Sequence, residues 1–347
     1  MKTGVIAVAL SGGIDSLVSG YLLKQRYKEV FGLHFVTGYE KHRTDVTLLE
    51  QQLGFPVTRI DLREEFEKKV VDYFVSTYLN GKTPNPCLIC NKKIKFGALL
   101  DHARVMGADL LATGHYATVV NRFTDPDGNT PDTFLKKGTD PLKDQSYFLS
   151  LLSGAQLERV CFPLAGMTKS AVKQYARSEH LAPFYPSESQ DICFIHDNNF
   201  SRFIHDKLAQ PPEPGDIIDR TGTVVGRHKG LHHYTVGQRR GLNCPASEPY
   251  YVKKIHVHTN QLEVCFKKDL LQKQFRFNHI NWNYPRTKMI SRIITKIRYA
   301  HKGALSDVYF HEDHGNVIFD IPQNAVTPGQ AAVFYKDDRV LGAGIIQ

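Results

Sequence analysis

Cysteine is scarce in this sequence, with six in 347 residues, too few to staple a disulfide scaffold. Any special cysteine is therefore expected to act as a nucleophile, a redox thiol or a metal ligand. No apolar run approaches the roughly 18–20 residues needed to cross a bilayer; Val5 to Leu10 is a typical short one. The first residues carry one Lys, then a strand and a Gly-rich turn, without the charged, apolar and small-residue regions of a secretory signal. A soluble, cytoplasmic protein with no membrane partner is expected. Acid is missing from two long stretches. Leu270 to Ser306 holds eight Lys/Arg and no Asp or Glu, and Arg220 to Ser247 holds five and none.

What is present is enough apolar side chain, 41%, to bury real cores, so a disordered chain is excluded. The length suggests two or three domains. Lys plus Arg exceed Asp plus Glu by 44 − 35 = +9, concentrated in the two acid-free stretches. Clustered positive charge attracts polyanions, and the interleaved Tyr, Trp, Phe and His offer bases a stacking face, which points to RNA. The alternative is an ordinary solvated basic surface.

Up to about residue 115 strands alternate with helices: Gly4–Leu10, Glu29–Val36, Val57–Asp61 and Leu110–Thr113 read as strands, with Ser16–Lys24, Thr44–Leu53, Phe66–Leu79 and Ile94–Val105 as helices. That alternation predicts an α/β fold with a doubly wound parallel sheet. Residues 122–141 read as a surface loop. Pro211-Pro212-Glu213-Pro214-Gly215 reads as a rigid boundary, and short strands with turns follow it. The expected division is a catalytic domain over 1–210, a small, mainly β central domain over 211–275 and a C-terminal β-barrel over 276–347.

Two sites carry chemistry. Ser11-Gly12-Gly13-Ile14-Asp15-Ser16 follows a buried strand and opens a helix, where backbone N–H groups and the helix dipole hold phosphate. Gly12 and Gly13 permit close approach, Ser11 and Ser16 can donate, and Asp15 can cap the helix or help hold Mg²⁺. No Gly-Lys-Ser/Thr follows, so this is not a Walker A loop, and the third Gly of a dinucleotide fingerprint is missing. The hexapeptide resembles the pyrophosphate loop of the N-type ATP pyrophosphatases. The second site is Cys87-Leu-Ile-Cys90, in an extended loop ahead of a helix, with Lys92, Lys93 and Lys95 just beyond. That setting is expected to lower the Cys90 thiol pKa. The pair could be redox, half a zinc site or part of an iron–sulfur site. Cys193 lies far downstream in Ser189–Ile195, while Cys161, Cys244 and Cys265 read as inert.

Taken together, Ser11–Ser16, Thr83–Phe96, Ala112–Ala117, Lys143–Leu149, Ser189–Ile195, Tyr234–Leu242, Ile297–Tyr299 and Thr327–Tyr335 make the chain similar to the tRNA-specific 2-thiouridylases nearly end to end. The resemblance implies an ATP-dependent transferase that adenylates the C2 oxygen of the wobble uridine and displaces AMP with sulfur. Ala9, Leu10, Ser11, Gly12, Gly13, Ile14, Asp15 and Ser16, with Phe35 and Gly114, would bind ATP accompanied by Mg²⁺. Asn85, Pro86 and Cys87 would meet the flipped base, and His115, Lys143, Asp144, Gln145, Arg298, Tyr299 and Gln330 would touch tRNA. Cys193 would carry a persulfide supplied by a sulfur-relay protein, and Cys90 would be the nucleophile that resolves it, leaving a disulfide to be reduced. A monomer is the expected state.

The sequence departs from the family pattern at Cys87, where many members have Asp. Cys87, Cys90 and Cys193 thus make a three-thiolate set, and the alternative mechanism carries free sulfide on a 4Fe–4S cluster held by them. The Thr37–Thr44 segment is also shorter than usual, which bears on closure of the ATP pocket or docking of the donor. The remaining alternatives are another ligase of the same ATPase superfamily, and an RNA-binding or redox-sensing protein on an inactive ATPase scaffold.

Overall fold

The computed structural model describes residues 2–41, 44–121, 133–184, 192–197, 199–208, 212–284 and 287–347. Part of the expected 122–141 loop, the first half of the Ser189–Ile195 motif, two residues of the Thr37–Thr44 segment and Pro211 therefore lie outside the described residues.

The first sheet contains β1 (Lys2–Ala9), β2 (Tyr27–Val36), β3 (Val57–Asp61) and β4 (Leu110–Ala112). A hairpin, β5 (Ala117–Asn121) and β6 (Thr133–Lys137), comes next, followed by β7 (Val160–Cys161). The sheet order is β3-β2-β1-β4-β7, all parallel. The continuous apolar run of β1 has a simple cause. Ile6, Val8 and Leu10 enter one core with Leu17, Val18 and Leu53, while Ala7 and Ala9 enter the opposite core with Phe66, Phe74 and Leu99. Both faces are covered, so both phases of the two-residue period must be apolar.

The second sheet holds β8 (Gly215–Ile218), β9 (Val224–His228), β10 (Tyr251–His256) and β11 (Gln261–Cys265), in the order β10-β11-β8-β9. It has its own small core of Ile217, Tyr234, Leu242, Val252, Leu262 and Val264. The third consists of β12 (Leu271–Trp282), β13 (Met289–Lys296), β14 (Ala304–Phe310), β15 (Gly315–Asn324), β16 (Ala331–Lys336) and β17 (Arg339–Ile346). Its order is β12-β15-β14-β13-β16-β17, and β12 pairs with β17 to close a six-stranded barrel. Along β16, Ala332 and Phe334 point into the barrel, whereas Ala331, Val333 and Tyr335 join the core of the first domain. The α/β fold with a central β unit and a closing barrel is as expected.

Three local expectations are corrected. Residues 133–137, read as loop, form β6, which pairs with β5 and extends the barrel sheet through Arg339 opposite Lys136. Neither β9 nor the long β12 was anticipated. Finally, the helix expected from Ile94 begins at Pro86 and runs without a break through Pro86–Cys90, Asn91–Ala98 and Leu99–Val105. Its middle section is widened to i→i+5 hydrogen bonding. There the Gln156 amide donates to Lys92 O at 2.9 Å and Phe96 O at 2.5 Å.

Candidate active site

Strand order reverses between β2 and β4 on either side of β1. Open parallel sheets bind ligands at such a point, outside the carboxyl ends of the strands. Ser11–Ser16 leaves β1 there, Gly114 leaves β4, and Phe35 ends β2 beside them. Gly12 has φ +81°, and the Phe184 ring lies 3.2 Å from where a Cβ would sit. A Cβ at Gly114 would lie 2.9 Å from the Asp15 carbonyl carbon, so only glycine allows these two loops to approach this closely. Gly13 is the N-cap of helix Ile14–Lys24 and offers no side-chain cap, which leaves first-turn N–H groups for an anion. The serines brace the loop: Ser16 Oγ donates to Gly13 O at 2.8 Å, and Ser11 N donates to Ser16 Oγ at 3.3 Å.

Asp15 differs from the reading given above, because it neither caps the helix nor stands open to Mg²⁺. Its carboxylate accepts from Lys169 Nζ at 2.8 and 2.7 Å and from the Tyr116 hydroxyl at 2.6 Å. Nothing near Asp15 in the sequence announced these partners; Lys169 opens helix Lys169–Ser178, and its backbone N–H donates to Asp140. The ammonium cancels the charge of Asp15 next to a loop built for phosphate. Mg²⁺ thus fits here as the nucleotide's own counter-ion, not as a resident of Asp15.

Cys87 and Cys90 both lie on helix Pro86–Cys90, three residues apart and so on one face. Asn85 is its N-cap, accepting from Leu88 N, and Pro86 takes the first helical position, where its missing N–H costs nothing. Cys193 sits on a turn closed by Ile195 N donating to Ile192 O at 3.0 Å. Its neighbour Phe194 is 2% exposed and is locked among Phe66, Phe74, Phe203 and Tyr39 at 5.2–5.9 Å. Tyr39 belongs to the short segment after β2, so that segment helps hold the Cys193 turn.

All three thiols are free; Cys90 feels the charge of Cys87 and Cys193, and Cys193 feels that of Cys87. Cys87 and Cys193 are exposed, and Cys90 is half-buried. The expected lowering of the Cys90 pKa is reversed. Burial pushes Cys90 up to about 12, against the pull of Lys95, and Cys87 and Cys193 add to the rise. Burial likewise pushes Cys193 up to about 11, and Cys87 is raised in the same way. Lys92 and Lys93 face an outer groove with Glu65 and Lys69, and among the described residues Lys95 is the lysine that acts on the thiols. Among the described residues no group of three His, Cys, Asp or Glu side chains converges to hold a metal ion. Thiols that do not converge do not make a preformed cluster site.

The residues assigned to tRNA fall into two sets. Asp144 organises its own loop, accepting from Gly138 N, Ser146 N and Ser146 Oγ, while Gln145 exchanges two hydrogen bonds with the Tyr116 backbone next to Lys143. His115 is buried between Phe96 and Phe162, bonded to Thr113 Oγ1 at 2.7 Å. Burial, with Lys95, lowers its pKa well below the usual histidine value, so its ring is neutral. Tyr299 packs 4.5 Å from Phe148 with Lys296 over its ring, and Arg298 donates to Asn324 O. Gln330 donates to Thr83 O and Pro84 O, directly ahead of Asn85. Sequence reasoning missed Lys169, Tyr116, Thr83 and Phe194, whose partners come mostly from distant parts of the chain.

Three family models match in tandem: a tRNA methyl transferase HUP domain over residues 4–197, a tRNA methyl transferase PRC-barrel domain over 201–266 and an aminomethyltransferase beta-barrel domain over 272–346. The chain is 47% identical to the tRNA-specific 2-thiouridylase MnmA of Desulfosudis oleivorans, covering 99% of this chain and 95% of the relative. It is 41% identical to that of Geobacter metallireducens, covering 98% and 96%, and 40% identical to that of Desulfotalea psychrophila, covering 100% of both. The solved U34-tRNA thiolase NcsA of Methanococcus maripaludis, with its [4Fe-4S] cluster, aligns with 60% of this chain and 66% of its own at 21% identity and a TM-score of 0.35, too slight a likeness to argue from. The full-length identities leave one conclusion: the chain belongs to the family of tRNA-specific 2-thiouridylases.

Proposed function

We propose that this protein catalyses ATP-dependent 2-thiolation of the wobble uridine in tRNA, as a tRNA-uridine 2-sulfurtransferase of the cytoplasm. One observation carries the reading. The phosphate loop leaves the carboxyl end of β1, and Tyr39, just beyond the carboxyl end of the adjacent β2, packs against Phe194 next to Cys193, whose thiol lies within electrostatic range of Cys87 and Cys90. A nucleotide loop and a thiol pair thus share one end of the sheet, as a reaction needing both activation and sulfur requires.

The uridine C2 carbonyl is a poor electrophile. Its oxygen attacks the α-phosphorus of ATP and pyrophosphate leaves; residues 9–16, with Phe35 and Gly114, hold the nucleotide. The helix N–H groups stabilise charge on the departing phosphates, and Lys169 keeps Asp15 from repelling them. AMP is then a good leaving group. The terminal sulfur of a Cys193 persulfide attacks C2 and expels AMP. The Cys90 thiolate next attacks Cys193 Sγ in the C2–S–S adduct, which releases thiouridine and leaves a Cys90–Cys193 disulfide. An external thiol reductant restores both thiols. Asn85, Pro86 and Cys87 line the approach of the flipped base, and His115, Lys143, Asp144, Gln145, Arg298, Tyr299 and Gln330 serve tRNA binding. The sulfur comes from a donor protein. The domain division is 1–210, 211–275 and 276–347, with the barrel's first strand already begun at Leu271, and the chain acts as a monomer.

Cys193→Ser should abolish 2-thiouridine while sparing tRNA binding and ATP-dependent pyrophosphate release. Nucleoside analysis of the product tRNA reads the outcome, and retained 2-thiouridine would remove Cys193 from the mechanism.

A further inference from the structure

We propose that Gln330 and Thr83 are positioning residues for the reactive cysteines: they form a clamp by which the barrel and the central domain set where the Cys87–Cys90 helix begins. The proposal rests on the reading that these thiols do the chemistry.

Every polar group of Thr83 is committed to another domain. Its N–H donates to Pro328 O at 2.8 Å, its carbonyl accepts from Gln330 Nε2 at 3.1 Å, and its hydroxyl donates to Thr235 Oγ1 at 3.3 Å. The same Gln330 amide reaches Pro84 O at 3.1 Å. Neighbouring residues repeat the pattern. Lys82 Nζ donates to Gln347 Oε1 at 3.1 Å, and Gly81 at φ +68° would put a Cβ 2.8 Å from Val257. Gly329 at φ +90° would put one 2.7 Å from Thr83 O, so a larger residue there would force the clamp apart.

The reactive helix starts three residues beyond Thr83, across Pro84 and Pro86, whose fixed φ makes the link stiff. A stiff link passes displacement on instead of absorbing it. A second tie runs through Tyr147, whose hydroxyl meets the Asn85 side chain and donates to Ala331 O at 2.9 Å. The domains gripping this point also carry the two acid-free, basic stretches. The placement of Cys87 and Cys90 is therefore set by how those domains sit, and their engagement of a polyanion is felt at the thiols. Gln330 spends its amide nitrogen on the loop, a role separate from any contact with tRNA.

The test uses the full chain without tRNA. Diamide takes two electrons and two protons as a disulfide forms, and peptide mass spectrometry follows the Cys90–Cys193 product and the pH profile of Cys90 alkylation. Gln330→Met keeps the bulk and removes the donor. It should slow disulfide formation by about tenfold, in line with the cost of ångström-scale misplacement of reacting groups. It should lower kcat at saturating tRNA, beyond any loss of tRNA affinity. Thr83→Val, which loses only the Thr235 bond, should show the same direction with a smaller effect, and carries the test if Gln330→Met does not fold. An unchanged disulfide rate and alkylation profile in the variants would overturn the proposal, as would weakened tRNA binding as the sole effect. This readout needs no sulfur transfer, so its failure leaves the thiolation reading standing, and loss of that reading through Cys193→Ser is scored separately.

Discussion

The Cys90 thiol should be a slow nucleophile in the protein at rest. Burial lifts its pKa from an ordinary 9.0 to about 12. At neutral pH that shift lowers the thiolate fraction by roughly 1,000-fold. The more basic thiolate attacks faster once formed, and a Brønsted slope near 0.45 returns roughly 20-fold. The net expectation is alkylation about 50-fold slower than a free model thiol, rising tenfold per pH unit with no plateau below about pH 10. Iodoacetamide labelling at fixed times, quantified per cysteine by mass spectrometry with N-acetylcysteine as internal reference, measures both features. Steric shielding lowers the rate but does not move the pH at which it levels off, so the profile separates the two causes. A plateau below pH 9, or a rate at pH 7 matching the reference, would refute the reasoning and restore a thiolate activated by nearby lysines. The same shift acts on stability. Above about pH 8.5 the unfolded chain has lost thiol protons that the folded chain keeps, so the urea midpoint should fall as pH rises from there toward 11.

Lys169→Met should destabilise by about 2 kcal/mol, below the usual cost of breaking a buried pair because Asp15 is partly solvated; adding Asp15→Asn should recover more than half, as thermal melts of the two variants and the double variant will show. Asp15→Asn alone removes a carboxylate beside the phosphate loop and leaves the Lys169 charge uncancelled there, so the KM for ATP should fall; a sharply raised KM in steady-state kinetics would return Asp15 to the nucleotide's Mg²⁺. Phe194→Leu should loosen the Cys193 turn and cut thiolation more than tenfold with tRNA affinity intact, a split that steady-state kinetics and filter binding resolve. Asn85→Ala should cost about 1 kcal/mol through the lost N-cap, read as a lower melting temperature.

The parallel sheet and the phosphate loop were legible because their signals are local. An apolar run facing two cores, then Ser-Gly-Gly, then an amphipathic helix, fixes a strand–loop–helix corner without help from elsewhere. The start of the cysteine helix was legible in principle. Pro84-Asn85-Pro86 reads as extended chain, yet Asn suits an N-cap and Pro suits the first helical position. The hairpin was obscured because β6 follows a polar, Gly/Pro-rich stretch. The thiol pKa values were misjudged because three lysines near Cys90 in sequence are not three lysines near it in space. The widened helix brings Lys95 back toward the thiols, and Lys92 and Lys93 line the outside. Lys169 gave no warning at all, because an ion pair spanning 154 residues leaves no trace in either local sequence.

The pairing of β17 with both β12 and β6 has a bearing on biosynthesis. Strand β6 ends by residue 137, but the partner that seats its hairpin emerges only around residue 339. The carbonyls of Thr83 and Pro84 wait just as long for Gln330. A ribosome still extending this chain therefore displays a phosphate loop and loose thiols but no assembled machinery. The thiols and the loop acquire their full surroundings only after residues 330–346 have been made.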